Sequence, residues 1–215
     1  MAPLKITFVS DVVCPWCAIG LASIDRALER LGGEVEAVIE IEPFELNPDM
    51  PPEGADIVSY IGRKYGRTPE QIAQSQAMIR ERGAAAGFSF GERKRVWNSF
   101  NAHRMLHWAG LEGRAPALKR ALLSAYHTEG RNPGDPQVLI ELATGVGLDP
   151  ARAKAVAEGD AYAAEVRERE RHWLQQGVSG VPFVVLDGRY AIEGAHPPEA
   201  FERAFREISQ AVRGS

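Results

Sequence analysis

Both cysteines of the chain, Cys14 and Cys17, fall in one motif, Cys14-Pro15-Trp16-Cys17. Two thiols at this spacing on one helical turn can exchange disulfides: one sulfur attacks, and its neighbour displaces the mixed disulfide that forms. The flanking residues show how such a pair would be held. Upstream, Ile6-Thr7-Phe8-Val9 reads as a buried strand; downstream, Leu21, Ile24, Leu28 and Leu31 recur at steps of three and four, one face of an amphipathic helix. Pro15 suits the first helical position, where a missing N–H costs nothing. Cys14 then stands at the helix N-terminus, where unpaired N–H groups and the macrodipole favour negative charge on its sulfur. Cys17 follows one turn further in, within bonding distance.

Two other uses of the pair fit less well. A structural zinc site needs about four ligands, and the chain has no third cysteine. His103 and His107 lie four apart on one helical face, a spacing that can bind metal, but no third ligand accompanies them and no metal is expected. A structural disulfide across so short a loop would remove little chain entropy.

The chain has 215 residues, enough for one large domain or two small ones, and a formal net charge of −4 with both signs interspersed. Neither nucleic acid nor a membrane surface is implied as a partner. No apolar run reaches the length of a membrane span. The Leu4–Val9 strand begins directly after Met1-Ala2-Pro3, which leaves no room for a cleavable leader and makes the cytoplasm the expected location. Disulfides there are mostly transient and catalytic.

Three segments follow from the patterning. Residues 1–54 read as strand, helix, strand: Gly32-Gly33 closes the helix, and Val35, Ala37, Ile39 and Ile41 alternate with glutamates as in a half-exposed strand. A proline-rich crossing, Pro43 to Pro52, is too broken for helix or central strand. Residues 55–176 turn helical, with about six helices; Thr68-Pro69 and Asp149-Pro150 each set a capping side chain before a proline at the first helical position. Residues 177–215 return to strands: Val181 to Leu186, a hairpin turn at Asp187-Gly188, Tyr190 to Ile192, then an amphipathic helix through Phe201, Phe205 and Ile208. A β-α-β opening and a β-β-α closing describe one sheet interrupted by an all-helical insertion.

The motif at a strand-to-helix turn, together with Gly180-Val181-Pro182-Phe183 at a late strand start, resembles the thioredoxin-fold oxidoreductases of the DsbA type. More narrowly, the chain is similar to the FrnE-like branch, which is grouped with 2-hydroxychromene-2-carboxylate isomerases. Five stretches spanning nearly the whole chain carry the likeness: Ser10 to Cys17, Pro43 to Pro48, Asn98 to Arg104, Thr128 to Arg131, and Gly194 to Pro198. The implied fold class is α/β, a thioredoxin-like fold with an inserted all-helical domain.

The resemblance implies a cytoplasmic thiol-disulfide oxidoreductase or isomerase. Cys14 matches the exposed nucleophile, Cys17 the resolving thiol, and Pro182 a cis-proline facing them, with the Val181 backbone offered to a bound peptide or thiol. Expected partners are a disulfide-containing protein, peptide or small thiol as substrate, and a small thiol or a reductase for recycling. No bound cofactor is implied. The rival is a glutathione-dependent isomerase or kappa-class-like transferase, with glutathione as co-substrate; such relatives typically carry serine at the first motif position, and the intact pair here favours redox chemistry.

Trp16 departs from the histidine of periplasmic DsbA proteins, so the pair is expected to be less oxidising than theirs. Phe8 stands where thioredoxin and DsbA place a buried carboxylate. Asp11 is the nearest carboxylate in sequence, either a proton shuttle or a turn residue bonding its own loop. His103 is either at the active-site cleft or a helix-packing residue. Asn98, Asn101 and Arg104 either line the cleft or tie the inserted helices together. Phe44, Trp97 and Trp108 either border a substrate surface or fill the core. Glu165 to Arg171 alternates in charge and reads as a solvated face.

Overall fold

A computed structural model describes residues 3–213. Met1, Ala2, Gly214 and Ser215, at the ends of the first and last expected segments, lie outside the described residues. The sheet is built on β1 (Leu4–Ser10), an apolar run buried on both faces, with Ile6, Phe8 and Val9 fully enclosed. It pairs in parallel with β2 (Ala37–Pro43), Ile6 opposite Ile39, after the crossover helix α1 (Pro15–Leu31). Gly32 ends α1 in the left-handed conformation, as the paired glycines predict.

The chain then leaves the sheet. Short strands β3 (Ala55–Asp56) and β4 (Arg95–Val96) pair with each other around α2 (Ile57–Tyr65) and α3 (Pro69–Ala86). There follow α4 (Phe100–Leu111), α5 (Ala115–His127), α6 (Pro136–Gly145), α7 (Pro150–Glu158) and α8 (Ala163–Gln175). Thr68 forms a capping box with Gln71, and Asp149 caps α7 through the Arg152 N–H, so both cap-then-proline signals start helices. The chain returns as β5 (Phe183–Leu186), antiparallel to β1, and β6 (Tyr190–Glu193), and closes with α9 (Pro198–Arg213). Asp187 and Gly188 both adopt positive φ, the turn that a two-residue hairpin requires. The strand order is β2-β1-β5-β6, the thioredoxin-like α/β arrangement.

Three expectations are corrected. The middle segment holds seven helices among the described residues, not about six, and the β3–β4 ladder makes it not purely helical; a two-residue ladder is shorter than any periodicity can register. The charged run of α8 is a solvated face only in part: Glu165, Glu168 and Arg171 are exposed, but other members turn to the protein. Arg169 Nε donates to Glu42 Oε2 (2.8 Å), Trp173 Nε1 donates to the same oxygen (2.9 Å), and Arg167 pairs with Glu45 and Glu170. Glu42, which alternation along β2 sends outward, is therefore buried beneath α8 and paired there.

One face of the sheet carries α1 and α9, whose Leu21, Ile24, Phe201 and Phe205 share a core with Ile6, Phe8, Val184 and Leu186. On the other, Val9 meets Phe44, Trp173 and Val178. Leu123 of α5 joins the core that contains Cys14 and Cys17, which fixes that helix beside the motif.

Candidate active site at the start of helix α1

Cys14 is the N-cap of α1, extended at φ −83° and ψ 115°, and its carbonyl accepts from the N–H groups of Cys17 (3.1 Å) and Ala18 (3.4 Å). Pro15 takes the first helical position. The turn feeding the helix is closed by Asp11, whose carbonyl accepts from Cys14 N–H (3.4 Å) and whose Oδ1 accepts from Val13 N–H (3.2 Å). Oδ2 accepts from Leu46 N–H at 2.7 Å, which ties the crossing after β2 to the motif loop. His103 Nε2 lies 3.4 Å from Oδ1, with both side chains essentially inaccessible. Burial opposes charge on Asp11, but the His103 ring, the Leu46 N–H and the Ser99 hydroxyl outweigh it and hold the carboxyl below its usual range. Asp11 thus organises its own loop and also faces His103, which does not line the cavity at Cys14 but the pocket between β2 and α4.

Both thiols are free. Cys14 is corrected from exposed to buried: it is 2% accessible, and Cys17 is fully buried. Trp16 and Val181 pack against the core that holds the pair, and α2 and α3 stand over the motif, so the sulfur opens on a cavity instead of on bulk solvent. That cavity, about 420 Å³, runs from Cys14 and Val181 past Tyr60, Ile61, Ile79 and Tyr126. Its walls are mostly apolar, with Arg93 and Asn47 among the polar groups. Burial and the adjoining Cys14 push the Cys17 thiol well above its usual range.

The Val181–Pro182 peptide is cis. Cys14 Sγ–H donates to the Val181 carbonyl at 3.5 Å. Pro182 also rests on α1 at Gly20, where an added Cβ would come 3.1 Å from the proline Cγ and 3.7 Å from the Phe8 ring. A glycine inside this helix is what lets the Pro182 loop approach the motif.

Other candidates fall elsewhere. Asn98 Nδ2 donates to the Met50 carbonyl (2.9 Å), and Arg104 donates to the carbonyls of Val156 (2.9 Å) and Ala161 (3.0 Å) and to Asn101 Oδ1 (3.0 Å from Nη2). Arg104 thus ties α4 to α7 and the turn after it, and Asn98 ties the segment before α4 to the crossing after β2. His107 stacks on Tyr162. Phe44 and Trp108 are core, and Trp97 carries the Arg95 guanidinium; the aromatic groups beside Cys14 are instead Trp16, Tyr60, Tyr65 and Tyr126.

Two residues at the site escaped sequence reasoning. Lys119 of α5 is fully buried, and its Nζ donates to the Ser10 carbonyl at 3.4 Å. His127, also fully buried, has Nε2 at 2.9 Å from the Val12 carbonyl, so that nitrogen carries the proton. Burial and the Arg93 charge push His127 well below its usual range, leaving a neutral ring. Lys119, Leu123 and His127 follow at steps of four beside the Leu118, Leu122 and Tyr126 stripe. A second buried stripe carrying two basic residues was the available signal.

Comparison with known proteins agrees with this geometry. The family described as DSBA-like thioredoxin domain matches residues 5–206. A probable DsbA oxidoreductase of Streptomyces coelicolor is 34% identical, with a TM-score of 0.88 over 96% of this chain and 90% of that one. The cytosolic disulfide reductase DsbM of Pseudomonas aeruginosa, solved with GSH, shares the fold at 21% identity and a TM-score of 0.66, over 96% and 99% of the two chains. A 2-hydroxychromene-2-carboxylate isomerase does so at 17% identity and a TM-score of 0.73, over 98% and 99%.

Proposed function

The chain belongs to the DSBA-like thioredoxin domain family, and from that premise we propose that it is a dithiol-disulfide oxidoreductase of a reducing compartment, the cytoplasm. One observation carries the reading: of two free thiols, the one at the helix N-cap, within 3.5 Å of the Val181 carbonyl, opens on a cavity that a substrate can enter, and the other lies buried one turn further into the helix. In the reaction, the Cys14 thiolate attacks a substrate disulfide and expels one substrate thiolate; Cys17 then attacks Cys14, forming the protein disulfide and releasing the second thiol. A small thiol or a reductase returns the pair to the dithiol. Because Cys14 sits inside, the substrates are small disulfides or flexible chain segments in preference to disulfides on a folded surface. Among the described residues, no helix is long and apolar enough to cross a membrane.

The mostly apolar, half-open cavity also favours a second reading, a glutathione-dependent isomerase in which Cys14 or glutathione adds to a small substrate held there. The two part on Cys17. Turnover of a small disulfide with glutathione as reductant, in the wild type and in Cys17→Ser, decides between them when read beside glutathione-dependent isomerisation of an enone. Exchange that needs Cys17 supports the oxidoreductase; isomerisation indifferent to Cys17, without exchange, overturns it.

A further inference from the structure

The cavity that opens at Cys14 carries charge of one sign. Arg67 and Arg93 stand on its wall, and among the described residues no aspartate or glutamate lines it. In a chain with 29 acidic and 25 basic residues, this excess of cations is local. Lys64 adds a third at the rim: its Nζ donates at 2.8 Å to the carbonyl of Leu46, a wall residue. Asp49 acts on Tyr60 from nearby but stays off the wall.

Arg93 differs from most arginines of the protein. Arg30, Arg120, Arg131, Arg167, Arg169 and Arg206 each pair with a carboxylate, whereas no ion pair of Arg93 is found among the described residues. What its half-buried guanidinium meets is aromatic: the central carbon lies 5.8 Å from the centre of the Phe90 ring and 5.7 Å from that of Tyr126. The rings attract its charge but put no anionic oxygen against its N–H fork. The Tyr126 hydroxyl is itself a donor, to the Arg95 carbonyl at 3.0 Å. Asp56 and Glu92 border a neighbouring cavity that Arg93 also reaches, but Asp56 is engaged in capping α2 through Ser59 N–H (2.8 Å), and Glu92 is exposed.

A cation placed this way gains most from an anion that arrives with the substrate. Apolar walls strengthen the pairing, and the planar guanidinium matches the two oxygens of a carboxylate. A volume of about 420 Å³ suits a small molecule, and Cys14 and Arg93 line the same space, so one substrate can engage both. We propose that Arg93 is a specificity-determining residue and that the site takes small disulfides whose substituents end in a carboxylate, the carboxylate resting on Arg93 while the disulfide meets Cys14.

The test uses the whole protein, reduced, with three disulfides of similar size: dithiodipropionate, with a carboxylate at each end; hydroxyethyl disulfide, uncharged; and cystamine, with an ammonium at each end. The rate at which each consumes the Cys14 thiol, read by intact mass, is divided by its rate with mercaptoethanol, so that intrinsic reactivity cancels. Dithiodipropionate should exceed hydroxyethyl disulfide by about tenfold, the worth of one charge-assisted hydrogen bond, and cystamine should be slowest. Arg93→Gln should bring the acidic and neutral disulfides within about twofold of each other, and Arg93→Lys, which keeps the charge without the fork, should retain only part of the preference. Arg93→Glu should put cystamine first.

Equal rates for the three disulfides in the wild type overturn the proposal, and that result does not depend on any variant folding. A preference that survives Arg93→Gln overturns it too, and if all three rates fall alike the arginine serves the Cys14 thiolate instead of the substrate. The proposal rests on disulfide exchange at Cys14. A wild-type protein that exchanges with none of the three loses that reading and the proposal with it, whereas exchange without charge preference removes the proposal alone.

Discussion

Asp11 Oδ1 and His103 Nε2 meet at 3.4 Å inside the protein, where the loop that launches the dithiol helix touches α4 of the inserted helices. The same carboxylate holds Val13 N–H and Leu46 N–H, so one side chain joins three stretches of chain around Cys14. Removing it as Asp11→Ala strands a buried imidazole and two N–H groups, and should cost about 3–5 kcal/mol. Urea unfolding checks this. A loss below about 1 kcal/mol would mean that the contact is incidental.

Gly20 sets two effects against each other. Alanine in place of a helix-interior glycine normally stabilises by about 1 kcal/mol, but a Cβ here would press on Pro182 Cγ at 3.1 Å, and overpacking typically costs 1–3 kcal/mol. Gly20→Ala is therefore expected to be net destabilising and to slow disulfide exchange by moving Val181 and Pro182 away from Cys14. A more stable variant with unchanged exchange would show that the loop yields freely.

Stability should fall on acidification below about pH 6.5, the ordinary value for His127. The folded protein keeps this ring neutral while the unfolded chain takes up a proton, so the unfolded state binds more protons as pH drops, and the stabilisation present above that pH is lost as pH falls toward the depressed folded value. Asp11, also depressed, adds a second loss below its ordinary 3.8. Unfolding free energy against pH, compared with His127→Gln, measures the first effect; equal slopes between pH 6.5 and 5 in the two proteins would contradict it.

Much of this site is legible in the chain itself, because strand, N-cap, proline and paired thiols are local features. The β5–β6 turn is readable for the same reason: Asp187-Gly188 suits positive φ at both central positions. What local pattern does not carry is enclosure. Cys14 lies buried because α2 and α3, more than forty residues later in the chain, stand over it. Lys119 and the Glu42–Arg169 pair look like surface charges until α5 and α8 are docked on the sheet. Charged residues are seldom buried, and a reading from pattern assigns them to solvent.

The cavity over Cys14 should select reagents by size. Iodoacetamide is expected to modify Cys14 and spare Cys17, whereas a maleimide carried on a large polyethylene glycol should react far more slowly than it does with a free thiol peptide. Equal rates for both reagents would mean that α2 and α3 do not restrict access in solution.

The division of labour between the two sulfurs is the account's central claim, and trapping measures it directly. Cys17→Ser and Cys14→Ser, each incubated with dithiobis-nitrobenzoate and read by intact mass, should behave oppositely. Cys17→Ser should gain one stable adduct on Cys14, and Cys14→Ser should gain almost none over the same time. An adduct forming on Cys17 of the Cys14→Ser variant at a comparable rate would contradict the assignment of Cys14 as the attacking thiol.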